Sequence, residues 1–129
     1  MKKAEPLGRR YIKIQRELDK FATKDIMTPK WQTLYDESNQ IDRIIADRNV
    51  EGQELEKQGD IEAAIKLYEQ NVKDEVVAIH PYERLAIIYR KQNRLNDEIR
   101  VLKETIRILG HSEKWDNQLI KALQKQKGK

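Results

Sequence analysis

Few residues in this chain of 129 carry reactive chemistry. The two histidines, His80 and His111, form no His-x-x-x-His or Glu-x-x-His pair. Such a pair would place two ligands on one helical face for a metal ion. Each instead reads as a loop residue near a helix start. Ser38 and Ser112 have no base beside them, and Ser112 reads as a helix N-cap. There is no G-x-G-x-x-G motif and no phosphate loop. The absence of cysteine excludes disulfides, thiolate metal sites and cysteine nucleophiles, and fits a reducing, cytoplasmic setting. The 22 carboxylates include close pairs such as Glu51/Glu54 and Asp97/Glu98, which read as solvated helix faces. The expectation is a non-enzyme with no catalytic residue, no cofactor and no metal.

The elements that would position any site are helices. Hydrophobic residues make up 38% and charged residues 37%, which is rich in charge for a globular domain and leaves room for one domain with a thin core. Five glycines and three prolines favour long helices over many short strands. No apolar run approaches the length of a membrane span, and no apolar stretch follows Met1-Lys2-Lys3 as a signal peptide requires. The net charge of +4 is uneven: residues 1–48 hold 11 Lys/Arg against 8 Asp/Glu, residues 49–112 hold 10 against 12, and residues 113–129 hold 5 against 2. A nucleic-acid groove through the domain would need the reverse distribution.

Apolar spacing predicts the helices. Leu7, Tyr11, Ile14, Leu18 and Phe21 form one stripe, after Pro6 and ending at Lys24-Asp25. Thr28-Pro29 supplies an N-cap and a first helical residue. From there Trp31, Leu34, Ser38, Ile41, Ile45, Arg48, Gly52 and Leu55 predict one helix over about 29–58, with a break near Ser38-Asn39 as the alternative. Gln58-Gly59-Asp60 is a turn with Asp60 as the next cap. Ile61 to Val72 is helical, Asp74 to His80 is looser, and Pro81 opens the following helix. Gln92-Asn93-Arg94 turns, Leu95 to Ile106 is helical up to Gly110, and Ser112 caps a last helix. Gln124 to Lys129 reads as a frayed basic end. Trp31 and Trp115 read as core that seals hairpin ends.

Sliding the sequence along itself aligns its landmarks at one constant step: Gly52 on Ala86 and Ile120, Leu55 on Tyr89 and Leu123, Gln58 on Gln92, Ile61 on Leu95, Ile65 on Ile99 and Tyr68 on Leu102. That step is the tetratricopeptide period, a helix-turn-helix unit of about 34 residues. The stretches EGQELEKQGDIEAAIKLYEQ and YERLAIIYRKQNRLNDEIRVLKETI resemble two successive tetratricopeptide repeats. Gly52, Ala64 and Tyr68 take the small, small and aromatic places of the first, and Tyr82, Leu85, Ala86 and Tyr89 fit the second. Glu98 departs, standing where a small residue belongs. The resemblance implies an all-α fold of antiparallel helical hairpins stacked as a short tetratricopeptide-like α-solenoid. Its parts would be an N-terminal helical hairpin region over 5–47, two repeats over 48–111, a capping helix over 112–126 and a tail over 127–129.

In such arrays the first helix of each repeat lines a groove. The resemblance therefore implies a protein- or peptide-binding face at Asn49, Gln53, Glu56, Glu83, Ile87, Arg90, Lys114, Asn117, Lys121 and Gln124, with His80 at the rim. Asn and Gln can hold a peptide backbone, and Arg90 and Lys121 can meet a carboxylate. The family's carboxylate-clamp pattern is not reproduced position by position. The expected function is that of a non-catalytic adaptor, scaffold or regulator, with self-association of the array ends open. The alternative is a nucleic-acid- or membrane-surface-associated protein that uses the basic N-terminal helix (Arg9, Arg10, Lys13, Arg16, Lys20) and the C-terminal tail. The acidic middle counts against nucleic acid, and the apolar stripe beside those basic residues reads as a face packed on the next helix.

Overall fold

The computed structural model describes residues 4–128. Among them the protein is all-α, with six helices and one short 3₁₀ turn. The helices are α1 (Leu7–Leu18), α2 (Pro29–Lys57), α3 (Ile61–Lys73), α4 (Ile79–Lys91), α5 (Leu95–Leu109) and α6 (Glu113–Lys127). Among the described residues no helix is long and apolar enough to cross a membrane.

Each helix packs chiefly on its neighbours in sequence. Bonds between α2 and α3 join Arg48 and Asn49 to Asn71 and Glu56 to Tyr68, a descending register that makes the pair antiparallel. Helices two apart run parallel: Gln53 and Glu56 of α2 meet His80 and Arg84 of α4, and Glu62 and Glu69 of α3 meet Arg94, which precedes α5, and Arg100 within it. The core follows this order as three apolar clusters. Ile14, Leu34 and Ile41 join α1 to α2. Tyr68, Tyr82, Leu85, Tyr89 and Val101 join α3, α4 and α5. Ala86, Leu102, Trp115 and Ala122 join α4, α5 and α6.

The sequence period recurs in the geometry. Helices α2 and α4 end at Lys57 and Lys91, and α3 and α5 begin at Ile61 and Leu95. Gly59 (φ +82°) and Asn93 (φ +57°) take the left-handed conformation between them. In each turn the following amide bonds back to a carbonyl near the helix end, Asp60 to Leu55 and Arg94 to Tyr89, which closes a Schellman cap. Small residues again mark close approach. A Cβ on Gly52 would lie 2.6 Å from Cε1 of Tyr68.

Several local expectations are corrected. Helix α1 stops at Leu18, not Lys24, and Phe21 still reaches the first cluster because the chain folds back there before the 3₁₀ turn at Thr23–Asp25. Thr28 precedes α2 but does not cap it with its side chain; its hydroxyl donates to the Asp25 carbonyl at 2.7 Å. Helix α4 starts two residues before Pro81, which sits in its first turn. The basic end stays helical to Lys127, in keeping with the helix propensity of Lys and Gln and the favourable siting of cations at a helix C-terminus. Trp115 is core, but Trp31 is only half-buried and stacks on exposed Tyr35 at 4.7 Å. Helix α2 runs without a break at Ser38, so the boundary at residues 47/48 falls inside it.

The two ends of the packed row differ. Pro81, Leu85 and Ile88 of α4 are buried, as are Trp115 and Ala122 of α6. The counterparts of the α4 residues, one period earlier on α2, are Asp47, Glu51 and Glu54, all exposed. At the other end Ile120, the counterpart of buried Gly52 and Ala86, is 52% exposed. Helix α1 is docked separately. The amides of Leu7 and Gly8 donate to the Asp74 side chain and carbonyl at 3.2 and 2.7 Å, so the start of α1 meets the end of α3.

Gly8 is buried against backbone, where a Cβ would overlap the Glu75 carbonyl. A backbone neighbour cannot rotate away. Overpacking costs about 1–3 kcal/mol, against a helix-propensity gain of about 1 kcal/mol for Gly→Ala. The overlap is severe and with backbone, so the cost belongs at the upper end of that range, and Gly8→Ala is expected to lower stability by about 2 kcal/mol in urea unfolding. An unchanged midpoint would refute this account of the α1 docking.

Candidate functional site

The face shared by α2, α4 and α6 gathers the residues singled out by the sequence. Helical periodicity puts Asn49, Gln53 and Glu56 on one side of α2, Glu83, Ile87 and Arg90 on one side of α4, and Asn117 and Lys121 on one side of α6. Polar rungs join these helices. Between α2 and α4, Gln53 Nε2 lies 3.3 Å from His80 Nε2, and Arg84 donates to both carboxylate oxygens of Glu56, at 3.1 and 2.6 Å. Between α4 and α6, Lys114 pairs with Glu83, and Arg90 donates to Gln118 at 2.9 Å. The rungs Glu56–Arg84 and Arg90–Gln118 are the same pair of positions displaced by one period.

Much of the expected binding set is therefore occupied within the protein. The Asn49 side-chain carbonyl accepts from Asn71, which is fully buried, at 3.0 Å. The Glu56 carboxylate also accepts from the Tyr68 hydroxyl at 2.6 Å. Arg90 holds the carboxylate of buried Glu98 at 2.9 Å. The departure of Glu98 from a small residue is thus compensated by a cation, as a buried carboxylate requires. Lys114 also lies 4.8 Å from the Trp115 ring centre. The members without a polar partner among the described residues are half-buried Ile87 and exposed Asn117, Lys121 and Gln124, and Gln53 is exposed with His80 as its one partner.

Electrostatics follow these pairings. Burial pushes the Glu56 carboxyl up, but the hydrogen bonds from Arg84 and Tyr68 outweigh it and leave its pKa below the ordinary value. Burial, then the Glu56 bond, pushes the Tyr68 hydroxyl well above its ordinary range. Burial and then the Arg84 charge hold His80 below its ordinary pKa, and the ring stands edge-on to Tyr68 at 5.6 Å. The Lys114 bond lowers Glu83. Among the described residues no three metal-ligating side chains converge. His111 instead pairs with Asp116 at 2.8 Å beside the Ser112 cap, which accepts from the Trp115 amide.

Sequence reasoning missed two sets of residues on this face. Arg84 and Gln118 supply the rungs. Lys57, Lys91 and Lys125 stand at one position of each helix and are all exposed. Both sets carry the period of the sequence, and that spacing was the available signal. Comparison with known protein families, curated proteins and solved structures finds no match for this chain.

The Glu56 rung makes a pH prediction. A carboxyl whose pKa is lower in the folded state stabilises the fold above the unfolded value, and that stability is lost as pH falls through the folded value. Replacing Glu56 by Gln should cost about 1–2 kcal/mol at pH 7. It should also flatten the loss of stability between neutral pH and the acid side of the carboxylate range. Urea unfolding of both proteins across that range tests the point. Parallel pH profiles would show that the rung does not couple to folding.

Proposed function

We propose that this protein is a non-catalytic interaction module that binds a protein or peptide on the α2/α4/α6 face. The family reading is that of a short tetratricopeptide-like α-solenoid, with α2 to α5 as two repeat units and α6 as the closing helix. The observation that carries it is the repeated rung, Glu56–Arg84 and then Arg90–Gln118, at the same two positions of parallel helices. Its support includes the paired Schellman turns at Gly59 and Asn93 and the packing of each helix on its sequence neighbours. Rungs of this kind fix the side-by-side placement of the three helices before any ligand arrives, which reduces the ordering cost of binding. Half-buried Ile87 lies between the two rungs with Gln53 and Lys121 beside it, an apolar point within a polar rim.

The rival use of α1 as a basic membrane or nucleic-acid helix draws less support. Three of its five cations are engaged, Arg9 with Glu75, Arg10 with both oxygens of Glu37 and Lys13 with Glu5, while Arg16 and Lys20 are exposed with no ion pair among the described residues. Its apolar stripe packs on α2.

The test is affinity capture from nuclease-treated lysate with wild type, an Ile87→Glu/Lys121→Glu variant and a Lys103→Glu control on α5. Arg90 is unsuited to charge reversal, because a second carboxylate there would face buried Glu98. A defined protein retained by wild type and control and lost by the double variant is the expected result. Retention by all three would move the interface off this face.

A further inference from the structure

Helix α6 is covered on one side. Earlier in the row, Tyr68 of α3 lies on Gly52 of α2, and Leu102 of α5 clusters with Ala86 of α4. The same position of α6 is Ile120, which is 52% exposed, with Leu119 and Leu123 half-buried beside it. The packed neighbour of α6 is α5, reached through Trp115 and Ala122 on the opposite side. Glu113 and Lys127, the first and last residues of α6, stand seven residues before and after Ile120. Seven residues make two turns less about 20°. All three side chains therefore share the outward face, with one charge about 10 Å to each side of the isoleucine. Both charged residues are exposed. The ion pairs of α6 are Lys114 with Glu83 and Asp116 with His111, so Glu113 and Lys127 have none among the described residues.

We propose that this face pairs with the same face of a second copy of the chain, α6 against α6 and antiparallel, about a two-fold axis at Ile120. In such an isologous contact each residue meets its partner twice. Ile120 meets Ile120 on the axis, and Glu113 of each copy meets Lys127 of the other. A parallel pairing would set glutamate on glutamate and lysine on lysine, which like charges oppose. A further unit of the same array does not fit the face. The joint of α2 with α3 leaves no room for a side chain at Gly52, and that of α4 with α5 holds only the methyl of Ala86, whereas Ile120 would hold such a helix off. End-to-end stacking on the far side of the row fails as well. It would set exposed Asp47, Glu51 and Glu54 against Ile120 and Glu113. A second copy instead supplies a matching apolar point and, at each end, the opposite charge. One helix on one helix buries less than the roughly 1,200 Å² of a standard interface, so the dimer is weak, with a dissociation constant of about 100 µM. The inference concerns the outward side of α6 and does not rest on the groove reading.

The test is sedimentation equilibrium of the full chain at low salt, over concentrations about tenfold to either side of that constant. Wild type should pass from monomer to dimer. Ile120→Glu sets two carboxylates on the axis and should abolish the dimer. Glu113→Lys alone and Lys127→Glu alone each turn two attractive pairs into two repulsive ones, and each should weaken association at least about tenfold. Mixed in equal amounts, these two single variants present opposite charges to each other at both ends, and a mixed dimer of about wild-type affinity should form. The double variant Glu113→Lys/Lys127→Glu should pair with itself as wild type does. Circular dichroism of each variant checks that α6 stays helical, and recovery in the mixture cannot come from a variant that fails to fold. A monomer at every concentration, a dimer indifferent to Ile120→Glu, or single variants that stay apart when mixed would overturn the proposal.

Discussion

The contact of the Tyr68 ring with Gly52 is the constraint on which the middle of the protein turns. With no side chain at Gly52, the ring lies directly against α2, and its hydroxyl reaches Glu56 one turn further along the same helix. That carboxylate is then gripped by Arg84 of α4. Three helices are thereby set by one aromatic side chain with no exposure to solvent. A hydrophobic contact alone would fix distance but not register. The hydroxyl and the two-pronged arginine fix both, because each demands a particular atom at hydrogen-bond range.

The second unit meets the same demand with other residues. Ala86 replaces Gly52 and Leu102 replaces Tyr68, so no hydroxyl is available there. The polar link moves to Glu98, which stands at the place of Ala64 and is buried with its carboxylate on Arg90. Arg90 in turn spans to Gln118. One unit carries the acid on the first of the bridged helices and the arginine on the second; the next carries the arginine first and a neutral amide second. The chain thus keeps a rung between parallel helices while changing which residue supplies the charge. At the α2 end, Asp47, Glu51 and Glu54 stand where later helices carry core residues, so that face stays in water. Ile120 has no such substitution.

The helices and turns were largely legible because apolar spacing and turn chemistry are local. Gly59 and Asn93 announced their turns through the one conformation that favours them, and the run from Pro29 to Lys57 holds no interior proline and no turn cluster. The errors arose where contacts outside the helix, tertiary or within the preceding turn, override its terminal signals. Phe21 kept the stripe because it folds back onto the cluster from outside the helix, and Thr28 spent its hydroxyl on Asp25 rather than on an amide. On the site, the period located the face but could not show which polar residues were already partnered. Glu56 and Arg90 look like ligand-facing residues by position. Only the placement of Arg84 and Glu98 shows that both hold helices together.

Arginine and lysine divide the electrostatic work on physical grounds. Arg10, Arg84, Arg100 and Arg107 each hold a carboxylate through two nitrogens, at Glu37, Glu56, Glu69 and Glu104. A planar guanidinium suits that geometry and loses less freedom for each bond formed. The lysines at 57, 91 and 125 carry a compact charge on a flexible stem, which stays hydrated until a partner displaces the water. Of these four arginines only Arg84 lies on the α2/α4/α6 face, where it fixes α4 against α2, while the lysines at the helix ends stay exposed. Salt acts on the two sets differently, since exposed charges are screened over about 10 Å at 0.1 M salt and partly buried pairs much less.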